Sequence, residues 1–122
     1  MTTLNRAAEE LLPLRPVVFH VLLSLADGER HGYAIVQDIG ERSAARLRLE
    51  PGNLYRHLKF MLDEGLIEES DRRPVPGKDD ERRRYYRITE FGRQVALAEA
   101  SRLEALASEL RARLVARSQG RS

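Results

Sequence analysis

Apolar positions along the chain recur at threes and fours almost throughout and at twos in one short stretch, the pattern of a mainly α-helical protein with a small β-hairpin. Leu4, Ala8, Leu11 and Leu12 share one helical face, so residues 4–12 are predicted to form a short amphipathic helix that Pro13 stops, making residues 1–13 an N-terminal arm. Pro16 then opens the run VVFHVLLSLA, which is apolar almost all round and belongs in an interior or an interface, with Asp27 and Gly28 marking its end. A third helix is expected to start around His31 and to run through Tyr33, Ile35, Val36 and Ile39, weakening at Gly40 and Ser43.

A fourth predicted helix begins at Pro51 and Gly52, with Leu54, Leu58, Met61 and Leu62 on one face and Asn53, Arg56, His57 and Lys59 on the others. Gly65 suits a left-handed C-terminal cap, and Leu66 and Ile67 start a strand. The polar stretch from Ser70 to Glu81, with Pro74, Pro76 and Gly77, fits the tip of a long hairpin whose return strand is Arg83 to Ile88. Strand alternation puts Tyr86 and Ile88 on one face and Tyr85 and Arg87 on the other.

Thr89 is a good N-cap, and no helix breaker follows it until about Arg117. Phe91, Val95, Ala98, Leu103, Leu106, Leu110 and Leu114 recur there at threes and fours, apart from a gap after Ala98. Roughly 28 residues at 1.5 Å each give a helix of ~42 Å, longer than the small domain before it is wide. Its apolar stripe needs another surface, and a second copy of the chain is the economical one. The expected organisation is therefore an arm (1–13), a compact domain (14–89), a dimerisation helix (90–117) and a frayed tail (118–122).

Composition narrows the chemistry. The 122 residues contain no cysteine, which excludes disulfides, thiolate metal sites and thiol nucleophiles. His20, His31 and His57 lack metal-ligand spacing, and there is no phosphate loop, serine elbow or HExxH pattern, so neither an enzyme nor a metal or other cofactor is expected. No apolar run approaches the ~20 residues of a membrane span and no signal pattern opens the chain, so a cytoplasmic protein is expected. The net charge is only +2, but it is unevenly placed. Residues 42–59 hold Arg42, Arg46, Arg48, Arg56 and Lys59 against Glu50 alone, and Arg82, Arg83, Arg84 and Arg87 form a second block. Two basic clusters in a small domain suit an anionic partner such as nucleic acid, the alternative from charge alone being solvated arginine-rich faces.

Three helices, a hairpin and a closing helix form the order of a winged helix-turn-helix domain followed by a long C-terminal dimerisation helix. Its recognition helix would be the one beginning at Pro51, with Asn53, Arg56 and Lys59 toward DNA and Tyr55 turned away from the leucine stripe, and its wing would bring Arg82, Arg83 and Arg84 near phosphates. Gly32 and Tyr33, at the start of the third helix, are candidates for phosphate contact through helix N-terminal amides, with His31 as a capping or core residue. Dimer contacts are expected from Leu103, Leu106, Leu110 and Leu114 against the helices around Leu11 and Phe19.

The segments LLSLADGERHGYAI, EPGNLYRHLKFMLDEGLIEES and DDERRRYYRITEFGRQVALAEASRL, in that order, resemble the PadR family of bacterial transcriptional regulators over about residues 14–104. The resemblance implies a homodimer that binds a pseudo-palindromic operator, usually as a repressor relieved by a small molecule, here of the short subfamily with a single helix after the wing. It further implies a hydrophobic or aromatic effector at the dimer interface, although this chain has no tryptophan to stack on one. The resemblance also places Tyr55 toward DNA, whereas Asn53 departs from the family pattern, which most often has a hydroxyl residue at that position. The rival reading is a winged-helix module that docks protein without specific DNA binding.

Overall fold

The computed structural model describes residues 8–43, 51–70 and 84–120. Residues 8–10 are helical and lead through an irregular segment into α1 (Pro16–Leu25), which the proline starts with no side-chain cap. A two-residue strand, β1 (Arg30–His31), precedes α2 (Gly32–Arg42); α3 (Pro51–Asp63), β2 (Ile67–Glu69), β3 (Tyr85–Ile88) and α4 (Glu90–Gly120) follow. The sheet is antiparallel in the order β1-β3-β2, so the expected hairpin carries a third strand. Two residues between polar neighbours leave too short an alternation for sequence to reveal, but Arg30 pairs with Tyr86 and His31 with Tyr85.

The core is shared by every element except β1. Val18, Val21, Leu22 and Leu25 of α1 meet Ile35 and Ile39 of α2, Leu54, Leu58 and Met61 of α3, Tyr86 and Ile88 of β3, and Val95 of α4. The α3 stripe is thus the one its spacing predicts, and burial of each of these side chains stabilises the fold by about 1.5–3 kcal/mol. Gly65 ends α3 with φ 78°, and the amides of Gly65 and Leu66 donate to the carbonyls of Leu62 and Met61 at 3.1 and 2.9 Å. That reversal delivers Leu66 and Ile67 straight into the core and the sheet. Ile67 then faces Ile88 across the ladder, and Glu68 faces Arg87.

A polar knot joins α1 to α2. The buried Ser24 hydroxyl donates to Asp38 at 2.7 Å, while Arg42 donates to Asp38 at 3.0 Å, to Ser24 Oγ at 2.8 Å and to the His20 carbonyl at 3.2 Å. Arg42 therefore belongs to the helix-turn-helix scaffold, a correction to its place in the first basic cluster. The Ser24 hydrogen bond, then Arg42, holds the Asp38 carboxyl below its usual value. Burial, then the Arg42 charge, lowers His20.

The seat of α4 is set by two residues. Thr89 Oγ1 accepts the Gly92 amide at 2.9 Å as an N-cap and donates toward the Gly65 carbonyl at 2.6 Å. Gly92 lies so close to β2 that a Cβ there would stand 2.1 Å from the Leu66 carbonyl oxygen. Further along, buried Glu99 accepts the Leu14 amide at 3.0 Å and two bonds from Arg102 at 2.6 and 2.9 Å, tying the N-terminal segment to α4. This polar pair fills the gap after Ala98 in the apolar repeat. Arg102, then the Leu14 amide, lowers the Glu99 carboxyl. The helix continues to Gly120, past the end expected at Arg117, so residues 118–120 are helical instead of frayed.

Gly92→Ala should destabilise the protein by about 1–3 kcal/mol through overpacking, seen as a lower urea midpoint; an unchanged midpoint would contradict the close approach. Lowered values at His20, Glu99 and Asp38 mean that the unfolded chain binds more protons, so stability should fall with pH. The first loss is expected as pH drops below 6.5 through His20, with further losses starting below 4.5 and 3.8 through Glu99 and Asp38. In His20→Gln the loss contributed near pH 6.5 should shrink in urea unfolding measured across that range.

Candidate nucleic-acid interface

Because one face of α3 is committed to the core, its remaining residues are presented outward at the start of the helix, where no acid sits in the first turn. Asn53, Tyr55, Arg56 and Lys59 are all exposed. The Arg56 guanidinium donates to Asn53 Oδ1, so the two side chains form one polar edge on adjacent turns. Arginine and asparagine are the side chains whose paired donors and acceptors match guanine and adenine edges in the major groove. His57 Nδ1 lies 2.8 Å from the Asn53 carbonyl oxygen, which turns its ring back along the helix.

Tyr55 is braced and open at once. Its hydroxyl and Cε1 lie 3.5 and 3.6 Å from where a Gly32 Cβ would stand, so the ring rests on the start of α2, while 43% of the residue stays exposed. Gly32 itself is buried, and His31 caps α2 by accepting the Ala34 amide at Nδ1 over 3.1 Å, the capping one of the two roles expected of it. Tyr33 is exposed and nearly parallel to the His31 ring at 6.4 Å, while Tyr85 meets the same ring edge-on at 5.4 Å. The starts of α2 and α3 thus lie together, joined by Tyr55 over Gly32. Lys59 points to solvent and pairs with Asp63 at 3.3 Å, a contact too exposed to hold it firmly.

In the wing, Arg84 is exposed and pairs with Glu69 at 3.1 Å, and Arg87 bonds Glu68 at 2.7 Å. Arg82 and Arg83 lie outside the described residues. Each described wing arginine has a carboxylate partner on β2, which the count of positive charges along the sequence did not reveal.

The candidate dimer residues divide. Leu103, Leu106, Leu110 and Leu114 are 41–60% exposed, and at 100° per residue they fall within about 80° of one another around α4. The same face, about one to three turns earlier, carries Gly92, Val95 and Glu99, which are buried against the domain. Phe19 lines an apolar groove of about 290 Å³ between α1 and α4, together with Leu23, Ala96 and Leu97. Leu11 packs on its own core and borders a different cavity, beside Asn53 and Arg56. Among the described residues no cluster of His, Asp or Glu could hold a metal, and no helix is long and apolar enough to cross a membrane.

The transcriptional regulator PadR-like family matches residues 21–98, more than half of the chain. Among curated protein sequences none matches significantly. A PadR family transcription regulator from Clostridium difficile R20291 is similar in structure, with a TM-score of 0.66 at 20% identity over 80% of this chain and 97% of that one. A transcriptional regulator from Clostridium thermocellum gives 0.63 at 23% identity, covering 78% and 86%. Bacillus subtilis PadR, in complex with operator DNA, gives 0.60 at 28% identity over 70% of this chain; this chain spans about half of that protein, 47% of its length.

Proposed function

Since the chain belongs to the PadR-like family of transcriptional regulators, we propose that it is a homodimeric repressor that reads a pseudo-palindromic operator in double-stranded DNA and is released by a small molecule. The observation that carries the reading is the outward edge of α3: Asn53 and Arg56 in mutual contact on the first turns, with Tyr55 beside them and the opposite face locked in the core. In each half-site Arg56 and Asn53 would meet base edges, and the Tyr55 hydroxyl would meet phosphate. Tyr33 and the α2 amides beginning at Gly32, the wing arginines 82–84, and Lys59 would hold the backbone and carry no base preference. The operator complex of Bacillus subtilis PadR supports DNA as the partner. Such a protein works in the cytoplasm, where its DNA is.

Dimerisation is supported by the leucine stripe of α4. Four exposed leucines on one helical face, continuous with the face that packs on the domain, make a poor free surface and a good seam. The partner's leucines would meet this chain along α4 and in the groove at Phe19, and residues 90–120 would act as the dimerisation helix of the domain that precedes them.

The test is fluorescence anisotropy on DNA tiled across the region upstream of the coding sequence, at two salt concentrations, with random DNA as competitor. One tile should bind far more tightly than random DNA, with affinity falling steeply as salt rises. Arg56→Ala should cost about 1–3 kcal/mol on that tile and relax one base position, while Arg84→Ala should weaken all sequences alike. Leu106→Glu with Leu110→Glu should sediment as a monomer and lose operator affinity. Equal losses for Arg56→Ala and Arg84→Ala on every sequence would contradict the assigned roles, and no salt-sensitive binding to any tile would favour a protein-docking module.

A further inference from the structure

The cavity that Leu11 borders lies between the segment before α1 and the outward side of α3, and has a volume of about 410 Å³, within the size range of small-molecule sites. It has two kinds of wall. Leu11, Leu14 and Phe60 are apolar, whereas Arg15, Arg56 and His57 are basic, and among the described residues no carboxylate lines it. The first turn of α1, which has neither an acid nor a capping side chain, borders it at Arg15. A free inorganic anion would leave the apolar wall wet, and a neutral hydrophobe would make no use of the two exposed guanidinium groups at its rim.

We propose that this cavity binds an amphipathic organic carboxylate, such as a medium-chain acyl carboxylate, and that the ligand competes with DNA for Arg56. The head group would sit between Arg15 and Arg56, and the hydrocarbon would lie on Leu11, Leu14 and Phe60. In the free protein Arg56 bonds the neutral amide oxygen of Asn53. A carboxylate offers the same guanidinium a charge-assisted and bidentate partner, so it draws Arg56 away from the edge that faces DNA. The release step of the proposed repressor then needs no change in the spacing of two subunits, because ligand and base edge use the same side chain. This regulatory consequence rests on the operator reading; ligand binding itself does not.

The test titrates octanoate into the isotope-labelled full chain without DNA, followed by NMR, with 1-octanol and sulfate as controls. Saturable shifts are expected at Leu11, Leu14, Arg56 and Phe60, with at least about tenfold weaker binding of 1-octanol and of octanoate to Arg15→Gln, a position outside the DNA-reading set. In anisotropy, octanoate should raise the apparent Kd for the preferred tile competitively in the wild type, and at least about tenfold less effectively in Arg15→Gln. Shifts centred on the groove at Phe19 and Leu97, equal affinity for 1-octanol, or no saturable shift would overturn the site. Octanoate in the cavity with DNA affinity unchanged would overturn the competition. Octanoate in the cavity of a protein that binds no tile would uphold the ligand site and remove the operator reading.

Discussion

Burial of Leu54, Leu58 and Met61 in a core shared with α1 and α2 is the constraint on which the rest of the structure depends. A helix held by one stripe cannot rotate, so what lies opposite is fixed as surely as what lies beneath. Asn53, Tyr55 and Arg56 face outward because their neighbours face inward, and no further device is needed to aim them. Loss of a methylene-rich side chain from this stripe would loosen the outward edge of α3 and the core together.

The far end of the molecule obeys a second constraint, the near-contact of α4 with β2. Gly92 removes the side chain that would collide with the Leu66 carbonyl, and Thr89 ties the first turn of α4 to the reversal after α3. The end of α3 and the start of α4 therefore share one small piece of backbone around Gly65 and Leu66. Glu99, held by Arg102 and the Leu14 amide, marks where α4 stops serving its own domain. Beyond it the same face turns into exposed leucine, so one helix both packs on its domain and carries the proposed seam.

Much of this was legible in the sequence where a repeat was long enough to be unambiguous. The stripe of α3, the cap at Gly65, the alternation of Tyr86 and Ile88 and the start of α4 at Thr89 all follow from spacing and cap chemistry. What escaped was non-local. β1 is two residues long and exists only because β3 lies beside it. Arg42 reads as surface charge until its helix is placed against His20 and Ser24, and Glu99 reads as an interruption until Leu14 arrives from 85 residues away. The cavity beside α3 has the same origin, since its basic wall joins Arg15 to Arg56 across the chain and no local pattern could reveal the pair.

The central claim is that two copies of this chain each present the α3 edge to one half of an operator. Hydroxyl-radical footprinting of the protein on its preferred upstream tile tests that claim most directly. The account predicts two protected patches related by a pseudo-twofold, centred about one helical turn of 10–10.5 base pairs apart or a multiple of it, and lost together in Arg56→Ala. Protection of a single patch, or uniform protection that follows the protein along any sequence, would contradict it.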